Sequence, residues 1–374
     1  MSKTKKETKE NIFEHSQAKL EFYENYLKLY LIVLFNDRYT DTINIYDIFC
    51  GIGIYEDGNE GSPIIAIKNI EILLEKYTKN INLIINDIDK SKVNFVERYI
   101  YSNHKNRCKV DAYNLDAIEM LKIVNKKIHI SQKNTKNLIF IDPYGYKEIY
   151  KEDIFNIMDS KNSEIIIFLP ISQMYRFSKS ALKDKKNKSY KHLRRFIEDF
   201  FEVGHPIYKE TYDNQLQYIE YIKKAFSFNG NYYSASYHIQ RQKKDYYALF
   251  FITNHIYGLE KILDTKWKLD NLCGKGFKKT KKQISLFDEM DREEEKENCF
   301  NKFKSNLRNF LQKDRTNIDL YEFTLKSGFL PKHTIEILKT EHLIFDRDIR
   351  KNSFYITYKK YYKEKNIKYK VRIK

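Results

Sequence analysis

Ile43-Asn44-Ile45-Tyr46-Asp47-Ile48-Phe49-Cys50-Gly51-Ile52-Gly53 is the stretch that decides the fold. An apolar run that ends in two glycines spaced two apart reads as a β-strand stopping at a tight turn. Glycine there lets the backbone come close to a bound molecule, although a plain strand-to-helix turn carries the same signature. Ser62-Pro63 then opens a helix, with serine at the N-cap and proline in the first turn. Upstream, residues 13–35 place Phe13, Ala18, Leu20, Tyr23, Leu27, Leu31 and Leu34 at roughly helical spacing.

The same alternation continues downstream. Apolar strands are expected at Ile81–Ile85, Lys109–Tyr113, Leu138–Ile141 and Glu164–Leu169, separated by helices through Val93–Tyr101, Ala117–Val124 and Ile154–Met158. Continuous apolar strands alternating with helices predict a parallel sheet covered on both faces. Residues 172–228 read as a helical insertion with basic stretches at Lys183–Lys191 and Arg194-Arg195. Tyr232–Gln240 and Tyr246–Thr253, joined by the polar Arg241–Asp245, predict a closing hairpin. The expected fold is therefore α/β: a doubly wound, seven-stranded Rossmann-like sheet of the class I methyltransferase arrangement.

Residues 270–298 read as a charged linker, with a basic run at Lys278–Lys282 and a mainly acidic one at Asp288–Glu297. Beyond it, Leu320–Thr324, Gly328–Leu330 and Thr334–Leu338 predict helix, turn, helix. Leu343–Asp346 and Ser353–Tyr358 predict two wing strands, followed by a basic tail, Lys359–Lys374. The expected organisation is a helical segment 1–36, an α/β domain 37–269, a linker 270–298 and a winged-helix-like basic module 299–374.

The chain of 374 residues carries a net charge of +17. Such a charge attracts polyanions, nucleic acid above all. Abundant Lys, Asn, Ile and Tyr are also what an AT-rich genome encodes, so the charge alone is only a slight push. The cysteines at 50, 108, 273 and 299 form no CxxC pair, so neither a metal site nor a disulfide framework is expected, and a reducing cytoplasm is. No apolar run is long enough to span a bilayer, Met1 opens no signal-peptide pattern, and Ser2–Lys9 reads as a solvated tail.

The chemistry-bearing residues fall at the carboxyl ends of four successive strands, where doubly wound folds bind ligands. With S-adenosylmethionine (SAM) as cofactor, Asp47 would hold the ammonium group while Gly51 and Gly53 pass beside the methionine part. Asp87 would accept the ribose hydroxyls. It follows Asp47 by roughly 40 residues, against ~20 in dinucleotide enzymes, and the excess fits an inserted loop, Ile54–Gly61. Asp116 would accept the adenine amino group or cap the helix at Ala117. Asp142, Pro143 and Tyr144 form an acceptor site: the carboxylate localises the lone pair of an exocyclic amine and stabilises its developing charge, the proline fixes the backbone and the ring stacks on a base. Amino methyltransferases usually carry two prolines between the acid and the aromatic, and here there is one. His15 and Lys19 share a helix face, either at the cofactor or on the surface. Cys50 reads as a small buried apolar residue. Lys185, Lys186, Arg194, Arg195, Lys278 and Lys279 would hold a nucleic-acid backbone. Gln283–Phe287 is similar to the peptide by which bacterial proteins dock on the DNA-polymerase sliding clamp.

Taken together, Glu14–Lys19, Asp47–Gly53, Gly61-Ser62-Pro63, Phe140–Gly145, Trp267 and Gln283–Phe287 resemble the three-Cys-motif partner (TcmP) family over most of the chain. The resemblance implies a SAM-methyltransferase-like core and a radical-SAM-like neighbour protein that carries the three cysteines. Three functions remain in view: methyl transfer to an exocyclic amine of a DNA or RNA base, a non-catalytic partner of the three-cysteine protein, and methylation of a small molecule.

Overall fold

The computed structural model describes residues 13–105, 107–209, 214–242, 245–278, 286–349, 353–363 and 367–374. The chain divides into two compact units, Met1–Asn254 with Phe277–Lys279, and His255–Gly276 with Thr280–Lys374.

In the first unit, α1 (Glu14–Phe35) leads into β1 (Thr42–Asp47). Helices and strands then alternate: α2 (Ser62–Leu74), β2 (Asn80–Asn86), α3 (Lys90–Asn103), β3 (Lys109–Tyr113), α4 (Ala117–Ile130), β4 (Thr135–Ile141), α5 (Lys151–Asp159) and β5 (Ser163–Leu169). The helical insertion follows as α6 (Ile171–Lys183), α7 (Lys191–Phe200) and α8 (Gln215–Ala225), before the hairpin β6 (Tyr233–Gln242) and β7 (Asp245–Thr253). With the short β8 (Gly276–Lys278) they form an eight-stranded sheet, ordered β3-β2-β1-β4-β5-β7-β6-β8. β1 to β5 are mutually parallel, and β7 runs antiparallel to both β5 and β6. The seven expected strands are joined by an eighth, from the start of the expected linker.

Side chains alternate between the two faces of each strand. Tyr46, Ile48, Ile139, Ile141, Ile165 and Ile167 pack into one core with α4, α5 and the insertion helices. The intervening residues face α1 and α2. There Tyr23 stacks on Phe140 of β4 at 4.4 Å, Phe22 lies on Tyr237 at 4.8 Å and Tyr26 meets Phe251 at 4.9 Å. α1 is thus a covering helix of the sheet, held by aromatic burial worth about 2–3 kcal/mol per fully buried ring.

The second unit comprises α9 (Ile256–Leu269), α10 (Leu286–Phe310), β9 (Arg315–Thr316), α11 (Asn317–Lys326), α12 (Pro331–Leu338), β10 (Leu343–Phe345) and β11 (Lys370–Ile373). Its three-stranded sheet is ordered β10-β11-β9 with antiparallel pairs. The acidic run 288–297 is not linker but the first half of α10, since Glu and Lys are good helix formers and the helix continues into buried Phe303 and Leu307. The strand pairing with β10 is Lys370–Ile373, not Ser353–Tyr358, where Tyr355 sits at φ 51° and interrupts extended backbone. At β11 the basic residues hide a strand alternation: Tyr369, just before the strand, and Val371 are buried, whereas Lys370 and Arg372 are exposed.

Cys273 and Cys299 are joined in a disulfide, although no pairing was expected from their spacing. They become neighbours because α10 begins inside the segment read as linker. Close by, the Trp267 indole donates to the Gly328 carbonyl at 2.9 Å and packs on Phe329 and His333. Among the described residues no helix is long and apolar enough to cross a membrane.

Candidate active site at the carboxyl edge of the sheet

β1 ends in Asp47, fully buried on the face covered by α1 and α2. Among the described residues neither carboxylate oxygen completes a hydrogen bond, although the Ser62 hydroxyl and the Phe49 amide lie close enough to favour the charged form. Burial dominates and pushes its carboxyl up to about 7, with the nearby Asp142 charge adding to the rise. The chain then turns through Gly51 at φ 63° and Gly53 at φ 74°, a left-handed region closed to most side chains. A Cβ on Gly53 would stand 2.7 Å from Val96 Cγ2, whereas one on Gly51 would meet nothing among the described residues within 4 Å. Gly53 is therefore a packing glycine, and Gly51 borders open space.

The inserted loop Ile54–Gly61 does not disturb this turn. It closes on itself through the Ile54–Glu60 bridge, and the Gly61 amide donates to the Gly53 carbonyl at 2.6 Å. Gly61, not Ser62, is the N-cap of α2. Ser62 begins the helix, so its buried side chain points back towards Asp47 instead of capping.

The next two strand ends are tied to the first. The Gly51 amide donates to Asp87 Oδ2 at 3.1 Å, and the Asp89 amide donates to Asp87 Oδ1 at 2.9 Å. A carboxylate has about four acceptor positions, so Asp87 retains capacity for a ligand. Asn86 is a hub that the sequence reading passed over: its amide donates to the Ile48 and Leu115 carbonyls and its oxygen accepts the Leu115 amide. A polar residue closing an apolar strand was the available signal. Asp116 caps α4, accepting the Ile118 amide at 2.9 Å, and its side chain is exposed. Cys50 is buried, and burial, with Asp47 and Asp87 nearby, pushes its thiol up, which keeps it protonated.

At the end of β4, alternation puts Asp142 on the same face as Phe140, the register partner of Asp47. Asp142 Oδ2 is bound by the Lys19 ammonium from α1, which also lies 5.0 Å above the Phe168 ring. Pro143 is buried and Tyr144 is 86% exposed. Lys92 of α3 stands 4.0 Å from Asp87 Oδ1 and 5.9 Å from the Tyr144 ring centre. Burial alone would lower the Lys92 ammonium, but Asp87 and Tyr144 together raise it above the usual lysine value. His15 is buried in a stack with Phe13 and Tyr247, which continues to Phe168. Burial, with Arg241 and Lys19 adding to it, lowers His15 to about 4, so it is neutral. The carboxyl edge thus brings together Asp47, Gly51, Asp87 and Asp142, with Lys19, Lys92 and Tyr23 added by helices.

The basic residues divide. Lys185 and Lys186 are exposed. Arg194 is spent on structure, donating to the carbonyls of Ala181, Asp184 and Lys185 at 2.7, 2.6 and 2.8 Å. Arg195 donates to the Lys147 and Ile149 carbonyls and stacks 3.5 Å above Tyr150, so it anchors the loop that begins at Asp142. Lys278 lies in β8. Lys279 and residues 283–285 of the Gln283–Phe287 peptide fall outside the described residues.

No family model matches the chain, and no curated protein matches it in sequence. Among solved structures it is similar to an O-methyltransferase from Bacillus cereus in complex with SAH, at 10% identity and TM-score 0.33 over 62% of this chain and 80% of that one. It is also similar to the O-methyltransferase TomG from Streptomyces achromogenes in complex with SAM, at 11% identity and TM-score 0.31 over 64% and 88%. A third is the bifunctional kinase-methyltransferase WbdD, at 8% identity and TM-score 0.33 over 63% of this chain and 39% of that one. At such TM-scores the likeness carries no weight for function.

Proposed function

We propose that this chain is a SAM-dependent methyltransferase acting on an exocyclic amino group of a nucleic-acid base. The observation that carries the cofactor reading is Asp47: a buried carboxylate that, with Ser62 and Phe49 nearby, completes no hydrogen bond among the described residues, beside a glycine turn whose Gly51 borders open space. An unpaired buried acid is costly and calls for a cationic partner. The ammonium of SAM is such a partner. The first seven strands in the order β3-β2-β1-β4-β5-β7-β6, with β7 antiparallel, follow the class I methyltransferase arrangement. Asp87, already holding the glycine turn, would take the ribose hydroxyls, and Asp116 would serve the adenine amino group from its capping position.

When bound, SAM supplies a methyl group activated by its sulfonium. The chain's own part is to orient an acceptor and stabilise the charge that develops on it. Asp142 would accept an N–H of the acceptor amine, sharing its carboxylate with Lys19. Exposed Tyr144 offers a face on which a base flipped out of its stack can lie. Arg195 holds this loop in place. In the second unit, the succession α10, β9, α11, α12, β10, β11 agrees with a winged-helix reading. With the exposed Lys185 and Lys186, that supports nucleic acid as the substrate and predicts binding that weakens as salt rises.

The second reading, a non-catalytic partner of the three-cysteine protein implied by the TcmP resemblance, is favoured by one observation: Lys19 already occupies Asp142. Methyl transfer from labelled SAM to DNA and RNA, by wild type and by Asp142→Asn, separates the two. Incorporation lost in the variant supports the enzyme. No incorporation from a protein that binds SAM supports the partner.

A further inference from the structure

We propose that α1 completes a clamp for the amino-acid end of the cofactor, with Tyr23 and Lys19 facing Asp47 to bind its ammonium and carboxylate together. This deepens the cofactor reading above and rests on it. Among the described residues six buried side-chain polar atoms lack a hydrogen-bond partner, and three of them are Tyr23 Oη, Asp47 Oδ1 and Asp47 Oδ2. Buried polar groups are nearly always paired, so two adjoining orphaned side chains mark the place of an absent partner.

Their adjacency follows from the packing. Tyr23 is fully buried against Phe140, the register partner of Asp47, and Asp47's charge adds to the rise that burial imposes on the phenol. Lys19 lies one helical turn earlier on the same face of α1. Its ammonium acts on Asp47 as well as on Asp142. A lysine ammonium has three donors, and Asp142 takes one of them.

An α-amino-acid end places a cation and an anion on neighbouring atoms. It therefore needs an acid and a base side by side, out of water. Asp47 offers the acid, Lys19 the base, and the Tyr23 hydroxyl can donate to the carboxylate or accept from the ammonium. Lys92, a further cation at this edge, is turned to Asp87 and Tyr144.

The test compares S-adenosylhomocysteine with 5′-methylthioadenosine, which lacks the amino-acid end. Both are titrated by calorimetry into the full-length wild type, Tyr23→Phe and Lys19→Met. The clamp predicts that wild type prefers S-adenosylhomocysteine at least tenfold. Each variant should lose about tenfold in its affinity while binding 5′-methylthioadenosine within about twofold of wild type. The inference is overturned if both ligands weaken together, or if neither variant changes the preference. A wild type that binds neither ligand overturns the cofactor reading itself, and the clamp with it, which is a different result from either of these.

Discussion

The backbone amide of Gly51 donates to the carboxylate of Asp87 across 3.1 Å. Two residues 36 positions apart are therefore one structure: the acid proposed to take the ribose hydroxyls is also the strut of the glycine turn. Replacing Asp87 by Ala should speed amide exchange at Gly51 to Gly53 by about tenfold, the equivalent of one lost hydrogen bond of ~1.4 kcal/mol. Hydrogen exchange by mass spectrometry over this turn measures it. Unchanged protection would show that the turn stands without Asp87.

Asp47 predicts a pH dependence of the ligand-free protein. Its folded value of about 7 lies above the unfolded one, so it binds a proton more readily when folded. Stability from this group is complete below the unfolded value of about 3.9 and is lost as pH rises towards about 7. The difference is at most about 4 kcal/mol. Asp47→Asn should thus melt higher than wild type at pH 8 and close to it at pH 4, in thermal scans without ligand. A variant that is less stable at both pH values would contradict a raised carboxyl.

Arg194 and the lysines near it should behave differently. Arg194→Ala strands several carbonyls of the α6–α7 connection and should cost about 1–3 kcal/mol, visible as a lowered melting temperature. Exposed Lys185 and Lys186 changed to Glu should leave the melting temperature within about 1 °C of wild type, because surface pairs contribute little. They should instead weaken nucleic-acid binding and flatten its salt dependence. Equal losses of stability from both sets of changes would show that the lysines are structural too.

The Cys273–Cys299 disulfide closes a loop with a sequence separation of 26. Restraint of that length should stabilise the second unit by about 3 kcal/mol. Trp267 is the chain's only tryptophan and belongs to this unit, so its fluorescence follows that unit's unfolding. Reductant, or Cys299→Ser, should lower the Trp267-detected urea midpoint. A midpoint indifferent to reductant would mean that the bond contributes nothing.

The α/β core was legible because its signals are local. Ile43–Gly53 shows an apolar strand and its stop, and Asp47, Asp87, Asp116 and Asp142 stand at the ends of consecutive strands. What was hidden depends on the third dimension. Tyr23 reads as an ordinary apolar position of a helix, and Lys19 as a residue either at the cofactor or on the surface, until α1 is laid across β1 and β4. Arg194 and Arg195 looked like a basic patch because a formula charge does not reveal the carbonyls around it. At β11 the lysines and Arg372 mask the alternation of Tyr369 and Val371, and the acidic run of α10 has the charge pattern of a linker on residues with good helix propensity.

The proposed SAM site lies at the ends of β1 and β2. Calorimetric titration of SAM into wild type and Asp87→Ala tests it most directly. Wild type should bind with a dissociation constant on the order of micromolar, and Asp87→Ala should bind at least tenfold more weakly. Wild-type protein that takes up no SAM would contradict it.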